Sequence, residues 1–281
     1  MSKKVIAWFS CGVTSAVACK LAIQKYGKSN VAVAYMVIDS AHEDNERFIR
    51  ECEQWFGMPI ERIRSPKFKD QFDVIEKTNY INGANGARCT LELKKKVRWD
   101  YEQKHPGAIQ IFGFEFAKRE INRAIRFAQQ YPDARPEFPL IENRITKKKC
   151  AGLLLRQGIA LPTMYDLGFS NNNCIGCVKG GAGYWNHIRK HFPDVFKRMS
   201  KVERSAGRSC MRVRVPDPDD PNKKISLPKW LDELDPNEGH DQKPILPDCG
   251  TFCEVEFADI LDPRTQKILD GEVNINQLTL F

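Results

Sequence analysis

The sequence predicts an α/β fold in which helices cover both faces of a Rossmann-like parallel sheet. In the first half of the chain, short apolar runs alternate with helical patterns, and strands separated by helices form parallel βαβ units with right-handed crossovers. The chain has 281 residues, of which 42% are hydrophobic. That is enough for one large α/β domain, or for a core with a small appendage.

Four short apolar runs are predicted to be strands, because each has strand length and is followed by turn-forming or helical residues. They cover residues 5–9, 31–38, 60–63 and 108–113. Helical spacing of apolar residues in the same half predicts helices over 14–26, 45–56 and 119–129. Together these elements predict the parallel sheet and its crossovers.

The second half of the chain has a different pattern, with helices and loops in place of alternating strands and helices. Helices are predicted at 146–157, 183–191 and 193–205, with Pro193 suited to the first turn of the last one. Loops are predicted at 217–224 and 235–247. We therefore place an α/β domain over 1–145 and a helical C-terminal region over 146–281. The alternative is that the later elements cover the first domain.

Charge and composition restrict the partners. The chain has 44 Lys and Arg against 36 Asp and Glu, a formal net charge of +8, which favours anionic partners but does not establish nucleic-acid binding. No apolar run approaches the roughly 20 residues that span a bilayer, and the apolar stretch near the N-terminus is too short for a signal peptide. We therefore expect a cytoplasmic protein with no membrane partner.

A loop rich in small and hydroxyl-bearing residues joins the first strand to the first helix, with the sequence Ser-Cys-Gly-Val-Thr-Ser over residues 10–15. Such a loop directs unpaired backbone N–H groups and the positive end of the helix towards an anion. The hydroxyls of Ser10, Thr14 and Ser15 add further donors. By spacing alone, a tight turn with a Ser or Thr helix cap is an equally good interpretation.

Ten cysteines in a chain without a secretory signal favour metal ligation or catalysis over a disulfide framework. Cys174 and Cys177 form one close pair, and Cys249 and Cys253 form another. Four thiolates suit tetrahedral zinc or a 4Fe–4S cluster, and their spacing does not separate the two. Unpaired structural cysteines are the alternative. The rival ligands are Cys150 and Cys210.

The loop after the first strand is similar to the pyrophosphate-binding loop of N-type ATP pyrophosphatases, whose pattern is Ser-Gly-Gly-x-Asp-Ser. Ser10, Gly12 and Ser15 match this pattern. Cys11 replaces a glycine, and Thr14 stands where aspartate is common. With these two differences, the loop more closely resembles the loops of phosphoadenosine phosphosulfate (PAPS) reductases and their relatives, which vary at the same positions.

Further segments follow in the order of the PAPS reductase-like family. Residues 39–46 resemble its Asp-Thr-Gly-x-Glu-x-x-Glu stretch, 88–94 its Arg-x-Cys-Thr-x-x-x-Lys motif, and 113–123 its Gly-x-x-x-x-Glu-x-x-Arg stretch. Residues 161–169 resemble the Pro-x-x-x-Leu-Tyr-x-x-Gly segment that leads into a cysteine pair. The Tyr184-Trp185 dipeptide after the cysteine pair resembles a Tyr-Trp stretch at the same place in phage-encoded and bacterial members of this family. The resemblance rests on the order in which these matches follow one another along residues 5–205.

The resemblance implies a site for an adenine nucleotide, either ATP or a PAPS-like sulfonucleotide, with Mg²⁺ accompanying ATP. The nucleotide contacts that it implies come from Ser10, Cys11, Gly12, Thr14, Ser15, Asp39, Arg88 and Gly113. The candidate catalytic residues are Cys89, Lys94 and Arg123. Arg88 and Lys94 would hold phosphate or sulfate, and a cation beside Cys89 would lower the pKa of its thiol.

Each of these motifs also has an ordinary structural interpretation that requires no ligand. Residues 39–46 also suit a solvated acidic start of a helix. Cys89 suits a buried cysteine in a capped helix, and Glu120 with Arg123 suits a surface ion pair. Arg119 is a second candidate for the phosphate contact. In cluster-bearing relatives the cysteines sit nearer the nucleotide, so Cys89 or Cys150 could replace a member of the second pair.

Two chemistries fit this family: adenylation with release of pyrophosphate, and attack of a thiolate on the sulfur of a sulfonucleotide. We expect an adenine-nucleotide-dependent enzyme with adenylation-linked or sulfur-transfer chemistry on a nucleic acid or nucleotide. The second hypothesis is PAPS reduction by Cys249 or Cys89, although residues 248–251 match the family's reactive Glu-Cys-Gly-x-His motif only in part. The third is a non-catalytic module that binds nucleotide or nucleic acid and contains structural zinc.

Overall fold

The computed structural model describes residues 3–83, 86–220 and 222–240, together with Ile245 and Pro247. The strands are β1 (Val5–Phe9), β2 (Val31–Met36), β3 (Glu61–Ile63), β4 (Ile109–Ile111), β5 (Pro136–Glu137), β6 (Met211–Pro216) and β7 (Lys224–Lys229). The helices are α1 (Val13–Tyr26), α2 (Asn45–Phe56), α3 (Gln71–Thr78), α4 (Arg88–Thr90), α5 (Lys96–Glu102), α6 (Lys118–Gln130), α7 (Pro139–Glu142), α8 (Lys147–Arg156), α9 (Thr163–Asp166), α10 (Ala182–His191) and α11 (Pro193–Ala206). A π-helical stretch, Leu91–Lys95, joins α4 to α5. Within these described residues, no helix combines the length and the apolar character that crossing a bilayer requires.

Strands β1 to β5 form one parallel sheet in the order β3-β2-β1-β4-β5. All residues of β1, at the centre, are buried, and β2 is buried from Val31 to Tyr35. Strands that are covered on both faces read as continuous apolar runs, which is why the sequence displayed them so clearly. The prediction of an α/β fold with a Rossmann-like parallel sheet flanked by helices is confirmed.

The strand order reverses direction beside β1. The chain leaves β1 towards β2 and β3 on one side of the sheet, and later returns to β4 and β5 on the other side. At such a reversal the connecting segments diverge above the carboxyl ends of the strands, which leaves a crevice where ligands bind in open α/β sheets. The loop of residues 10–15 lies at this point.

The predicted bounds of most elements agree with the structure. Helix α2 spans the predicted residues, and α10 and α11 each differ from prediction by one residue at one end. The sequence did not predict α3, β5 or the β6–β7 hairpin. Strand β5 has two residues, too few for a periodic pattern.

Helix α8, near the start of the second half, packs on α1 and completes the main core. Cys150 and Leu154 of α8 are fully buried in one cluster with Ala16 and Cys19 of α1. Residues from both halves of the chain therefore cover the same face of the sheet. The proposed division at residue 145 stays a prediction.

A buried acid holds the base of the β6–β7 hairpin. Glu203 of α11 is fully buried, and its carboxylate accepts hydrogen bonds from the backbone N–H of Cys210 and, at 2.9 Å, from that of Leu231. Cys210 directly precedes β6, and Leu231 lies just after β7. Since a lone two-stranded hairpin is marginally stable, these bonds fix both of its ends to α11.

Replacing Glu203 with Ala should therefore lower the free energy of unfolding by at least about 2 kcal/mol, because it leaves two buried N–H groups without an acceptor. The control is Glu233→Ala, which removes an exposed acid of the same region that pairs with Arg204 and should cost no more than about 0.5–1 kcal/mol. Urea-induced unfolding measures both variants. Equal losses would show that the buried carboxylate has no special role.

Candidate functional site

A cavity of about 180 Å³ opens at the carboxyl ends of β1 and β2. Its walls come from the loop after β1, the end of β2, the π-helical stretch, the start of α8 and the segment that precedes Cys174. Its lining includes Ser10, Gly12, Thr14, Tyr35, Asn45, Lys94, Lys147, Tyr165, Asn171, Asn172, Asn173 and Cys174. The cavity lies at the strand reversal, where the sheet topology predicts a ligand.

Within the loop, the hydroxyls divide between the cavity and the core. Ser10 and Thr14 line the cavity, whereas Ser15 is buried. The Ser15 hydroxyl accepts hydrogen bonds from the N–H of Ser10 at 3.0 Å and of Gly12 at 3.3 Å, and donates to the Gly12 carbonyl at 2.8 Å. Ser15 thus shapes the loop from inside, and its predicted phosphate contact stays a prediction.

Cys11 occupies a backbone conformation that usually requires glycine. Its φ is 59°, in the left-handed region where a Cβ is unfavourable. Its thiol is fully buried and donates to the carbonyl of Asn45 at 3.7 Å. Burial raises the pKa of this thiol far above its usual value, and the neighbouring Cys52 adds to the shift. The Cys11 side chain is therefore packed in the core, and the predicted nucleotide contact of this residue stays a prediction.

Two substitutions test the conformation at Cys11. Cys11→Gly should keep the free energy of unfolding within about 1 kcal/mol of the wild type, because relief of the strained φ offsets the lost thiol burial. Cys11→Val should lose at least about 2 kcal/mol, because a β-branched residue fits the left-handed region poorly. Chemical denaturation compares the two. A Val variant as stable as the wild type would contradict the positive φ.

The segment before the cysteine pair contacts the loop through its side chains. The Tyr165 hydroxyl stands 3.3 Å from where a Cβ on Gly12 would lie, so a side chain at Gly12 would force the neighbour to move. The Asn172 amide donates to the Cys11 carbonyl at 2.6 Å and to the Asn45 side chain at 2.8 Å. Tyr165 and Asn172 also line the cavity. Sequence analysis missed them, although three consecutive asparagines before Cys174 were a signal.

Two lysines line the cavity. Lys94 lies in the π-helical stretch, and such insertions in helices occur frequently at functional sites. Lys147 begins α8, and its ammonium group donates to the Ser170 carbonyl and to the Asn171 side chain, at 2.7 Å for the latter. Burial lowers the pKa of Lys147. Lys147 was not among the predicted site residues.

The two predicted arginines, Arg88 and Arg123, have ordinary pairings with neighbouring side chains. Arg88 pairs at 2.8 Å with Glu92, a buried acid that also pairs with Lys96. Arg123 pairs with Glu120 at 3.1 Å, and its guanidinium lies 4.3 Å from the centre of the Phe114 ring. Ion pairs between helix neighbours of this kind are common on protein surfaces. The nucleotide contacts of both arginines therefore stay predictions.

Asp39 and Gly113 have clear structural surroundings. Asp39 is exposed beyond the end of β2, with Arg64 3.4 Å from its carboxylate. At Gly113, just after β4, an added Cβ would lie 2.7 Å from the Ser15 Cα. Glycine is therefore needed at position 113 because two stretches of backbone meet there. Its contact with nucleotide stays a prediction.

The structure brings three of the predicted functional cysteines together beside the cavity. Cys89, Cys174 and Cys177 are close enough that negative charge on one thiolate disfavours ionisation of another. The pKa of Cys89 is raised to about 11, chiefly by burial and then by Cys177 and Cys174. We expected a nearby cation to lower this pKa. Lys94 does act in that direction, but burial outweighs it, and the net change is an increase.

The predicted metal centre has two of its four cysteines, Cys174 and Cys177, in the described part of the chain. Cys249 and Cys253 lie outside the described residues, and within the described ranges no three His, Cys, Asp or Glu side chains form a group arranged to hold a metal ion. Cys89, Cys174 and Cys177, with Cys210 near Cys89 and Cys177, influence one another's ionisation but do not form such a group within the described ranges. Sulfur donors of this kind suit zinc or an iron–sulfur cluster rather than Mg²⁺.

An ion pair fastens the wall that carries Tyr165. Asp44 pairs with Arg47 at 2.7 Å and accepts a hydrogen bond from the N–H of Thr163 at 2.9 Å. Arg47 also donates to the carbonyls of Leu161 at 2.9 Å and Ala160 at 3.2 Å. The Arg47 guanidinium lowers the pKa of the Asp44 carboxyl to about 2. The start of α2 is thereby joined to the start of α9.

This pKa shift predicts a pH dependence. A carboxyl whose pKa is lowered in the folded state stabilises the fold above its unfolded pKa of about 3.9, and that stabilisation is lost as the pH falls towards 2. Asp44→Asn should therefore be less stable than the wild type at pH 7, and the gap should narrow as the pH falls from about 5 to 2. Urea unfolding across this range measures the gap, with exposed Glu43→Gln as control. A gap that is constant with pH would contradict the assignment.

Together, the fold and the cavity define a Rossmann-like α/β protein with a cavity of mixed polar and apolar lining at the carboxyl edge of its sheet. No protein-family model matches the chain. An uncharacterized protein of Methanocaldococcus jannaschii is 24% identical to this chain over 213 residues, which cover 73% of this chain and 42% of that protein. The chain thus spans less than half the length of this relative, whose description names no activity.

Proposed function

We propose that this chain is an adenine-nucleotide-dependent enzyme of the PAPS reductase-like group, binding ATP or a sulfonucleotide in the cavity above β1. The observation that carries the proposal is the composition of that cavity: a hydroxyl-rich loop at a helix N-terminus, two lysines and the first cysteine of a close pair line one space. Its reaction would be adenylation-linked or sulfur-transfer chemistry. The proposed acceptor is a nucleic acid or nucleotide, which the net charge of +8 favours only in a general way.

The phosphate-binding roles follow from the donors in the cavity. The first turn of α1 supplies N–H groups and the positive end of the helix dipole, and Ser10 and Thr14 add hydroxyl donors. The ammonium group of Lys147 donates hydrogen bonds to neutral oxygens, with Glu115 and Glu120 as the acids that act on its charge; a phosphate in the cavity would add a direct anionic contact. With ATP, Mg²⁺ would be held largely by phosphate oxygens and would neutralise their charge.

Sulfur chemistry is favoured by the position of the thiols. Cys174 lines the cavity, and Cys89 and Cys177 lie beside it. A metal group would be held by Cys174, Cys177, Cys249 and Cys253, with Cys89 or Cys150 as the alternative to a member of the second pair. Zinc would give the thiols a structural role, whereas a cluster would add electron or sulfur chemistry. Iron, zinc and labile-sulfide analysis of protein purified without oxygen distinguishes these cases.

Direct reduction of a sulfonucleotide is the second candidate, and one observation weighs against Cys89 as its nucleophile. With a pKa of about 11, only about one molecule in ten thousand carries the Cys89 thiolate at pH 7. A reductase would then depend on Cys249, which lies outside the described residues. The third candidate, a non-catalytic module with structural zinc, would bind nucleotide without turnover.

Binding of ATP and of PAPS, measured separately by calorimetry, tests the proposal with a matched pair of variants. Lys147→Gln should raise the Kd of the bound nucleotide at least tenfold, because a charge-assisted contact to phosphate is lost. Lys148→Gln removes an exposed neighbouring charge on the same helix and should change the Kd less than twofold.

Pyrophosphate release from ATP with a panel of nucleotide and nucleic-acid acceptors then tests turnover. Release that depends on one acceptor would support adenylation. Failure of the wild type to bind either nucleotide would overturn the proposal, as would equal effects of the two lysine variants.

A further inference from the structure

Groups outside the cysteine pair hold the backbone between Cys174 and Cys177. The Ile175 N–H donates to the Ser40 carbonyl at 2.8 Å, and the Gln71 amide donates to the Ile175 carbonyl at 2.8 Å. Gln71 is itself buried. The pair is therefore fastened to the end of β2 and to the start of α3.

Tyr184 of α10 makes the remaining contacts. Its hydroxyl oxygen accepts hydrogen bonds from the N–H of Gly176 at 3.1 Å and of Cys177 at 2.9 Å, and its proton is donated to the Cys174 carbonyl at 3.2 Å. One hydroxyl thus uses its donor and both acceptor positions on a single four-residue turn. Gly176, inside this turn, has a φ of +80°.

The ring of Tyr184 is fixed in place by its surroundings. A Cβ on Gly180 would lie 1.9 Å from the Tyr184 ring, so the backbone at Gly180 lies directly against the ring. The Phe169 ring lies edge-on to it at 5.7 Å between centres. The hydroxyl therefore reaches the turn from a rigid support.

We propose that Tyr184 is the positioning residue of the cysteine pair: its hydroxyl sets the turn so that the thiols of Cys174 and Cys177 stand side by side, ready to engage one ligand atom together. Without the hydroxyl, two N–H groups and a carbonyl lose their partner, and the turn relaxes to recover hydrogen bonds elsewhere. The inference uses the thiol pair of the proposed function, but its test contains no nucleotide, so either can fail without the other.

Phenylarsine oxide is a suitable probe, because it bridges two thiols that stand side by side. Two S–H groups and the As=O group give two S–As bonds and one water molecule, and no atom is oxidised or reduced. Iodoacetamide, by contrast, alkylates one thiol at a time. Bridging therefore reports the relative position of the two thiols, and alkylation reports their individual access.

The experiment compares full-length wild type, Tyr184→Phe and Tyr101→Phe, each reduced and freed of metal with a chelator. Tyr101→Phe is the control, because it deletes a buried tyrosine hydroxyl that donates to Glu61 at 2.6 Å, away from the pair. Tyr184→Phe should bind the arsenical across Cys174 and Cys177 at least tenfold more weakly, as mapped by peptide mass. The control should stay within twofold of the wild type.

Fully buried Cys19 and Cys150 report whether the fold has loosened. Weaker bridging with both of them still protected from iodoacetamide supports the inference, whereas weaker bridging with their alkylation overturns it in favour of a general structural role. Unchanged bridging in Tyr184→Phe also overturns it. Should that variant not fold, Gly180→Ala displaces the same ring and must weaken bridging for the inference to stand.

Discussion

The candidate site depends on one constraint: the segment from Ala160 to Cys177 must lie across the carboxyl edge of the sheet. The Asp44–Arg47 pair holds the start of this segment at Leu161 and Thr163. Further along, Asn172 bonds to the loop after β1. At the end of the segment, the Ile175 N–H donates to the carbonyl of Ser40, in the loop that follows β2. Each anchor is polar and directional, so the segment has a defined position that apolar packing alone would not give.

The second requirement at this edge of the sheet is that the loop after β1 packs closely against its neighbours. Gly113 meets Ser15 and Gly12 meets Tyr165 at separations where a Cβ would collide or press tightly, while Cys11 is held in the left-handed region. Small residues in this loop therefore follow from the packing around it as well as from any ligand. This explains why a cysteine can stand at Cys11: the side chain points into the core, and its volume is accommodated there.

The sequence predicted the parts of the structure that depend on local pattern. The apolar runs of β1 and β2 and the bounds of α2 follow from burial periodicity within a few residues. Alternation of valine and arginine in β6 was also a local signal, which we did not use. The pairing of Asn172 with Asn45 and Cys11 joins residues 127 and 161 positions apart, and no local pattern specifies such contacts. Lys147 was missed for the same reason.

The thiols show most clearly why a pKa cannot be predicted from the charged residues nearby in the sequence. Motif order placed Cys89 near Lys94, and in the structure Lys94 does act to lower the pKa of Cys89. The larger opposing effect comes from desolvation, which depends on burial that spacing does not reveal. Buried thiols with raised pKa values bind metals or attack electrophiles only when something favours the thiolate. The backbone N–H groups nearest Cys177 do not serve that purpose, because Tyr184 accepts both of them. What the structure supplies instead is a cation: Lys94 acts to lower the pKa of both Cys89 and Cys174, although burial outweighs it at each thiol.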